Sequence, residues 1–164
     1  MEADKLFFLQ KIQDWATAHE SVSQWKSVGN EIVFTNGCFD ILHYGHFQYL
    51  AQARSLGDKL VVAVNSDASV QRLKGSHRPI HDLRTRLTAL AALVFVDLVI
   101  VFEQDTPQEL IEMLLPDILV KGGDYAPNQI VGANIVINNG GGVRALAFAE
   151  GYSTTAIEQK IKNE

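Results

Sequence analysis

One stretch constrains the fold of this 164-residue chain more than any other: Thr35-Asn36-Gly37-Cys38-Phe39-Asp40, followed by His43-Tyr44-Gly45-His46. The apolar residues 32–34 precede it, and an amphipathic stretch with Phe47, Leu50 and Ala51 follows. That order reads as strand, glycine turn, helix. Two imidazoles then stand at the helix N-terminus, three residues apart and so on one face of its first turn. Free backbone N–H groups and the positive end of the helix dipole suit such a terminus to phosphate. Gly45 between the histidines is expected to let a ligand approach the backbone. A histidine pair at this spacing also fits a metal fragment or a simple helix cap. Its place in the first strand-to-helix turn, where doubly wound folds bind nucleotides, favours phosphate.

The remaining sequence alternates in the same sense. Residues 61–64 form a continuous apolar run, as a parallel strand covered on both faces requires. Residues 98–102, 118–120 and 143–148 supply three more strands. Leu83, Leu87, Leu90, Ala91 and Val94 keep helical spacing behind Asp82 as N-cap. Thr106-Pro107-Gln108-Glu109 reads as a capping box with proline at the first helical position, and Pro116 as the stop. Residues 130–137 are rich in β-branched side chains, but the alternation needs a crossover helix there. Residues 1–28 read as a helical prefix with Phe8, Ile12 and Trp15 on one side. The expectation is an α/β, Rossmann-like, doubly wound five-stranded parallel sheet with an N-terminal helical prefix. Residues 1–164 form one domain, divided into prefix 1–28 and core 30–162.

Composition excludes several classes. A hydrophobic content of 47% is ample for one core. The net charge of −5, with no basic stripe, argues against a nucleic-acid binder. Cys38 is the only cysteine, which excludes an internal disulfide and a multi-cysteine zinc site. The apolar patch 6–9 is interrupted by Lys11, Gln13 and Asp14, unlike a signal peptide. The run 87–102 carries only Asp97 as a charge, yet reads as a helix and a buried strand, not a membrane span. A cytoplasmic protein without a membrane partner is expected.

In such sheets, ligands bind beyond the carboxyl ends of the strands. Those ends are polar here: Asn65-Ser66-Asp67, Lys121-Gly122-Gly123-Asp124-Tyr125, and Glu150-Gly151-Tyr152 leading into Ser153-Thr154-Thr155. Taken singly, Ser153 and Asp67 read as helix caps and Gly122-Gly123 as a turn. Their convergence on one end of one sheet points to a site.

The stretch Thr35 to His46 resembles the signature of the His-x-Gly-His nucleotidyltransferases, the cytidylyltransferase-like superfamily. Ser153-Thr154-Thr155 is similar to its second signature, which grips the β- and γ-phosphates. One departure stands out: many members carry Arg soon after that segment, where this chain has Glu158 and then Lys160. Asn65 to Asp67, Leu73-Lys74-Gly75, Arg78-Pro79-Ile80, Arg86 and Lys121 to Tyr125 are most similar to the heptose 1-phosphate adenylyltransferases, over roughly residues 30–162. That domain is often fused to a sugar kinase; the sequence given has no kinase half and resembles the stand-alone form.

The resemblance implies transfer of AMP from ATP to a sugar 1-phosphate, with release of pyrophosphate and with Mg²⁺ bridging phosphate oxygens. His43, His46 and Lys74 are the implied catalytic groups. Thr35, Asn36, Gly37, Cys38, Phe39, Gly45, Lys121, Gly122, Ser153, Thr154 and Thr155 are the implied nucleotide contacts. Asp40, Asp67, Arg78 and Asp124 are the implied acceptor contacts, and no protein side chain is assigned to metal. Asp40 is equally suited to holding its turn, and Arg86, on a helix with Leu83 and Leu87, is a weaker candidate for neutralising phosphate, a solvent-facing position being the alternative. A cytidylyltransferase for glycerol 3-phosphate and a non-catalytic nucleotide sensor remain the alternatives. The N-terminal helices are open to a homodimer contact or a lid.

Overall fold

The computed structural model describes residues 6–123 and 125–163. Six parallel strands form its centre: β1 (Ile12–Gln13), β2 (Ile32–Gly37), β3 (Lys59–Asn65), β4 (Leu98–Phe102), β5 (Ile118–Gly122) and β6 (Gly142–Leu146). Between and after them run α1 (Trp15–Ser27), α2 (Tyr44–Arg54), α3 (Asp67–Lys74), α4 (Leu83–Ala91), α5 (Gln108–Leu114), α6 (Ala133–Asn138) and α7 (Thr154–Lys162). The spatial order is β1-β4-β3-β2-β5-β6. The chain therefore winds outward from β2 through β3 to β4, then returns to the other side of β2 for β5 and β6.

Side-chain alternation along the strands divides the core into two layers. Ile32, Phe34, Val61, Ala63, Leu98 and Ile100 face one layer, closed by Val22 of α1, Leu110 of α5 and Val136 of α6. Val33, Leu60, Val62, Val64 and Val99 face the other, closed by Leu50 of α2 and Leu90 of α4. Both faces are dry, which is why these strands are apolar without interruption.

The switch point lies between β2 and β5. Those strands pair through Val33 with Ile118 and Phe34 with Leu119. Beyond that register Tyr49 of α2 bridges the two strands. Its hydroxyl donates to Val120 O at 3.3 Å and pairs with Thr35 Oγ1 at 2.5 Å. Burial raises its pKa to about 12, so it remains a protonated donor.

The N-terminal prefix differs from expectation and accounts for the sixth strand. A 3₁₀ turn (Phe7–Lys11) leads into β1, where Ile12 and Gln13 pair with Val99 and Ile100 at the sheet edge. Only then does α1 begin, capped by Asp14, whose carboxylate accepts from Thr17 N. A continuous helix would have left the outer edge of β4 unpaired. The capping box at Thr106 also does not form: Pro107 takes the cap position without a side-chain bond, and Glu109 accepts from Gln104 Nε2. The last strand stops at Leu146, so Phe148 belongs to the following turn. Ala51 and Val94 are exposed, outside the stripes assigned to them. Asp82 caps α4, Leu115 ends α5 in the left-handed region before Pro116, and α6 lies within the β-branched segment, as the sequence implies.

Candidate active site

The turn after β2 is held from behind by buried ionic groups. Asp40 is buried and accepts from Ile80 N and His81 N at 2.8 Å and from Arg78 Nη1 at 2.5 Å. Its role is to latch the segment after α3 onto the turn, leaving little acceptor capacity for a ligand. Arg78 also reaches Glu158 Oε1 of α7 at 3.3 Å. The residue that departs from the superfamily's basic pattern thus serves as counter-ion to Arg78. Arg86 does not take the solvent-facing alternative: it is 1% exposed and donates to Cys38 O and to Asp67 Oδ1, each at 2.7 Å. Asp67 further accepts from Leu83 N at 3.2 Å, tying α3 to α4. Neither Asp67 nor Arg78 lies on the walls of the two cavities described below. Asp124 lies outside the described residues.

Held this way, the turn presents two imidazoles in close contact, their planes tilted by 35°. His43 occupies the N-cap position of α2 without a side-chain cap bond, so helix capping is not its role. Its ring lies 3.9 Å from that of His46, centroid to centroid. Phe39, in the left-handed region at φ 48°, sets its ring 5.5 Å from His46. Burial is the largest influence on both histidines. It lowers the pKa of His43, and, with the charges of His43 and Lys74, takes that of His46 down to about 4. Each has a buried Nδ1 with no protein partner among the described residues. Gly45 does not open a path to the backbone: a Cβ there would come within 3.1 Å of the His43 ring. The glycine makes room for the imidazole.

Two cavities meet over the switch point. The smaller, about 160 Å³, includes His46, Phe39, Tyr49 and Thr154 in its wall. The larger, about 490 Å³, extends past Asn65 and Leu73 to Pro107, Tyr125 and Val131. Asn36, Gly37, Cys38, Lys74, Lys121 and Gly122 belong to both. Lys121 Nζ lies 3.5 Å from Asn36 Oδ1, and burial, ahead of the opposing influence of Cys38, lowers its pKa. Lys74 ends α3, where the helix dipole favours a cation. Of the second signature, Thr154 reaches a cavity, Ser153 caps α7 by accepting from Ala156 N, and Thr155 is exposed away from both. Thr35 is fully buried, its hydroxyl engaged by Tyr49.

Phe148 is a wall residue that sequence reasoning missed. A Cβ on Gly122 would approach its ring to 2.3 Å, so Gly122 is glycine to seat an aromatic ring. The available signal was an aromatic residue five positions before Ser153.

The family model described as cytidylyltransferase-like matches residues 34–160, from β2 through α7. The chain belongs to the cytidylyltransferase-like family. It is 64% identical over 137 residues to Bifunctional protein HldE of Nitrosococcus oceani, 84% of this chain and 29% of that one. Against Bifunctional protein HldE of Magnetococcus marinus identity is 53% over 151 residues, 92% of this chain and 31% of the other. The chain thus spans under a third of these relatives' length. Among solved structures, the lipopolysaccharide core biosynthesis protein from Thermoplasma volcanium superposes with a TM-score of 0.59 at 32% identity, covering 76% of this chain and all of that one. Pantoate-beta-alanine ligase from Francisella tularensis shares the fold, with a TM-score of 0.60 at 15% identity over 92% of this chain and 76% of that one. In this cytidylyltransferase-like domain no described helix is long and apolar enough to cross a membrane.

Proposed function

We propose that this domain transfers AMP from ATP to a heptose 1-phosphate, giving an ADP-sugar and pyrophosphate. The observation that carries this reading is the meeting of two cavities at Lys74 and Lys121. Two phosphorylated ligands, one entering from each side, end at the same pair of cations.

The triphosphate lies at the N-termini of α2 and α7, beside His46 and Thr154. An acceptor phosphate oxygen attacks the α-phosphorus of ATP. As that bond forms, the bond from the α-phosphorus to the bridging oxygen breaks, and its electron pair leaves with pyrophosphate. The attacking oxygen is already anionic, so no general base is required. The barrier is repulsion between anions and charge growing on the leaving group, which positioned cations and imidazole donors reduce. Neutral imidazoles suit this role, since each still has one N–H to donate.

Mg²⁺ enters as part of the ATP substrate. Among the described residues no group of three or more His, Cys, Asp or Glu side chains is placed to hold a metal. Among the described residues, the carboxylates on the cavity walls are Asp40 and Asp105, paired with Arg78 and Arg72. Phosphate oxygens and water then complete the coordination, the arrangement Mg²⁺ favours. A cytoplasmic location, where ATP is abundant, belongs to the same proposal.

Pyrophosphate release, with ATP and CTP crossed against heptose 1-phosphate, other sugar phosphates and glycerol 3-phosphate, tests the assignment. ATP with heptose 1-phosphate is expected to be fastest. Equal or faster turnover of CTP with glycerol 3-phosphate overturns it in favour of a cytidylyltransferase. Tight ATP binding without pyrophosphate release from any pair overturns it in favour of a sensor.

A further inference from the structure

Four large hydrophobic side chains that this fold leaves exposed converge on one cavity. Leu73, Tyr125, Val131 and Phe148, each between 42% and 51% exposed, line the 490 Å³ space beyond the switch point. They come from four separate segments: the end of α3, the chain after β5, the approach to α6 and the chain after β6. Single exposed apolar residues are ordinary, but several sharing one concavity mark a binding surface. Pro107 extends the apolar wall and Thr106 adds a hydroxyl to it.

The wall is built before any ligand arrives. Arg72 of α3 pairs with Asp105 at 2.8 Å and also donates to Glu103 O. Ser69 Oγ donates to Gln104 O at 2.9 Å. These bonds fasten the loop carrying Thr106 and Pro107 to the helix carrying Leu73. Of the acidic residues expected to hold the acceptor, the two that lie among the described residues are paired within the chain, Asp40 with Arg78 and Asp67 with Arg86. Among the described residues the cavity is a trough with apolar walls, interrupted by Asn65, Asp105, Thr106 and Gln129, and with Lys74 and Lys121 where it meets the smaller cavity.

We infer that this trough is the bed for the carbon skeleton of the acceptor, and that it selects a sugar ring over a shorter polyol phosphate. The inference rests on the proposed nucleotidyl transfer. A sugar 1-phosphate is anionic at one end and presents C–H faces interrupted by hydroxyls along the rest. Its phosphate meets Lys74 and Lys121, its ring lies against Leu73, Pro107 and Tyr125, and Thr106 answers a hydroxyl. Glycerol 3-phosphate satisfies the lysines and leaves the apolar wall in water. The nucleotide's phosphates lie on the other side of the lysines, at α2 and α7.

Calorimetric titration of wild type, Leu73→Ser, Tyr125→Ala and Tyr125→Phe with heptose 1-phosphate and with glycerol 3-phosphate tests this, beside steady-state KM for ATP. The replaced side chains are half-exposed, so the fold should persist, and circular dichroism checks it. Leu73→Ser and Tyr125→Ala should raise the Kd for heptose 1-phosphate roughly tenfold or more, the scale of a lost pocket contact. Tyr125→Phe should bind like wild type, and binding of glycerol 3-phosphate and KM for ATP should not move. An unchanged Kd for heptose 1-phosphate in both truncations overturns the inference, as does a rise in KM for ATP alone, which assigns the trough to the nucleoside. Wild type that binds heptose 1-phosphate through Tyr125 yet releases no pyrophosphate overturns the transfer reaction and leaves the trough standing. Pyrophosphate release with unaltered acceptor binding in the variants overturns the trough alone. Failure of wild type to bind heptose 1-phosphate overturns both.

Discussion

Phe148 lies over Gly122 so closely that a Cβ at residue 122 would come within 2.3 Å of the ring. The same ring stands 5.6 Å from that of Tyr49, the residue bridging β2 and β5. A glycine at the end of one strand, an aromatic residue after the next and a helix in the other layer therefore shape one cavity junction.

Gly122→Ala should push the Phe148 ring outward. Because that ring is half-exposed it can move, so the stability cost should lie near the lower end of the roughly 1–3 kcal/mol of overpacking. The ring walls both cavities, so KM should rise for both substrates. Denaturant titration and two-substrate kinetics check this; a KM change confined to one substrate would show that the ring serves one cavity only.

His43→Ala and His46→Ala should each lower kcat by roughly 10²–10³, the scale of one preorganised donor to a developing oxyanion. Unchanged kcat with raised KM would mean that the imidazoles bind ATP equally in the ground state. Single-turnover measurements separate the two outcomes.

Stability should depend on pH through His46. Its pKa is about 4 in the folded chain against 6.5 as a free imidazole. Between those values the unfolded chain binds a proton that the folded chain refuses, so stability falls as pH drops from 6.5 toward 4, and this loss is absent above 6.5. His46→Gln should therefore show a shallower decline of Tm than wild type over that window. Parallel Tm curves would show that the buried imidazole is not resisting protonation.

Asp40→Ala should destabilise the protein by roughly 3 kcal/mol, since it leaves the largely buried guanidinium of Arg78 with Glu158 as its one remaining ionic partner and frees two backbone donors. If Asp40 instead served only as an acceptor contact, urea denaturation would be unchanged while acceptor KM rose.

Lys74→Ala and Lys121→Ala should lose far more in turnover than in ATP affinity, because both line the cavity on each side of the junction. Calorimetry of ATP beside kcat decides it; variants that turn over like wild type would remove the acceptor phosphate from this junction.

The sequence alone determined the parallel α/β architecture, because buried strands must be continuously apolar and the helices between them must be amphipathic. It also determined that His43 and His46 share a helix start, since spacing within one turn is a local property. The second edge strand was not legible: β1 is two residues long and exists only because the edge of β4 offers it partners. The roles of Asp40, Asp67, Arg78 and Arg86 were decided by tertiary structure. A charged side chain reads the same in sequence whether it meets a ligand or another part of the chain, and each of these found a partner 16 or more residues away. The same holds for Gly122 at the end of β5 and Phe148 beyond the end of β6, whose meeting is set by the pairing of those strands and not by local spacing. Local spacing therefore placed the imidazoles, and long-range packing decided which charges face the ligand.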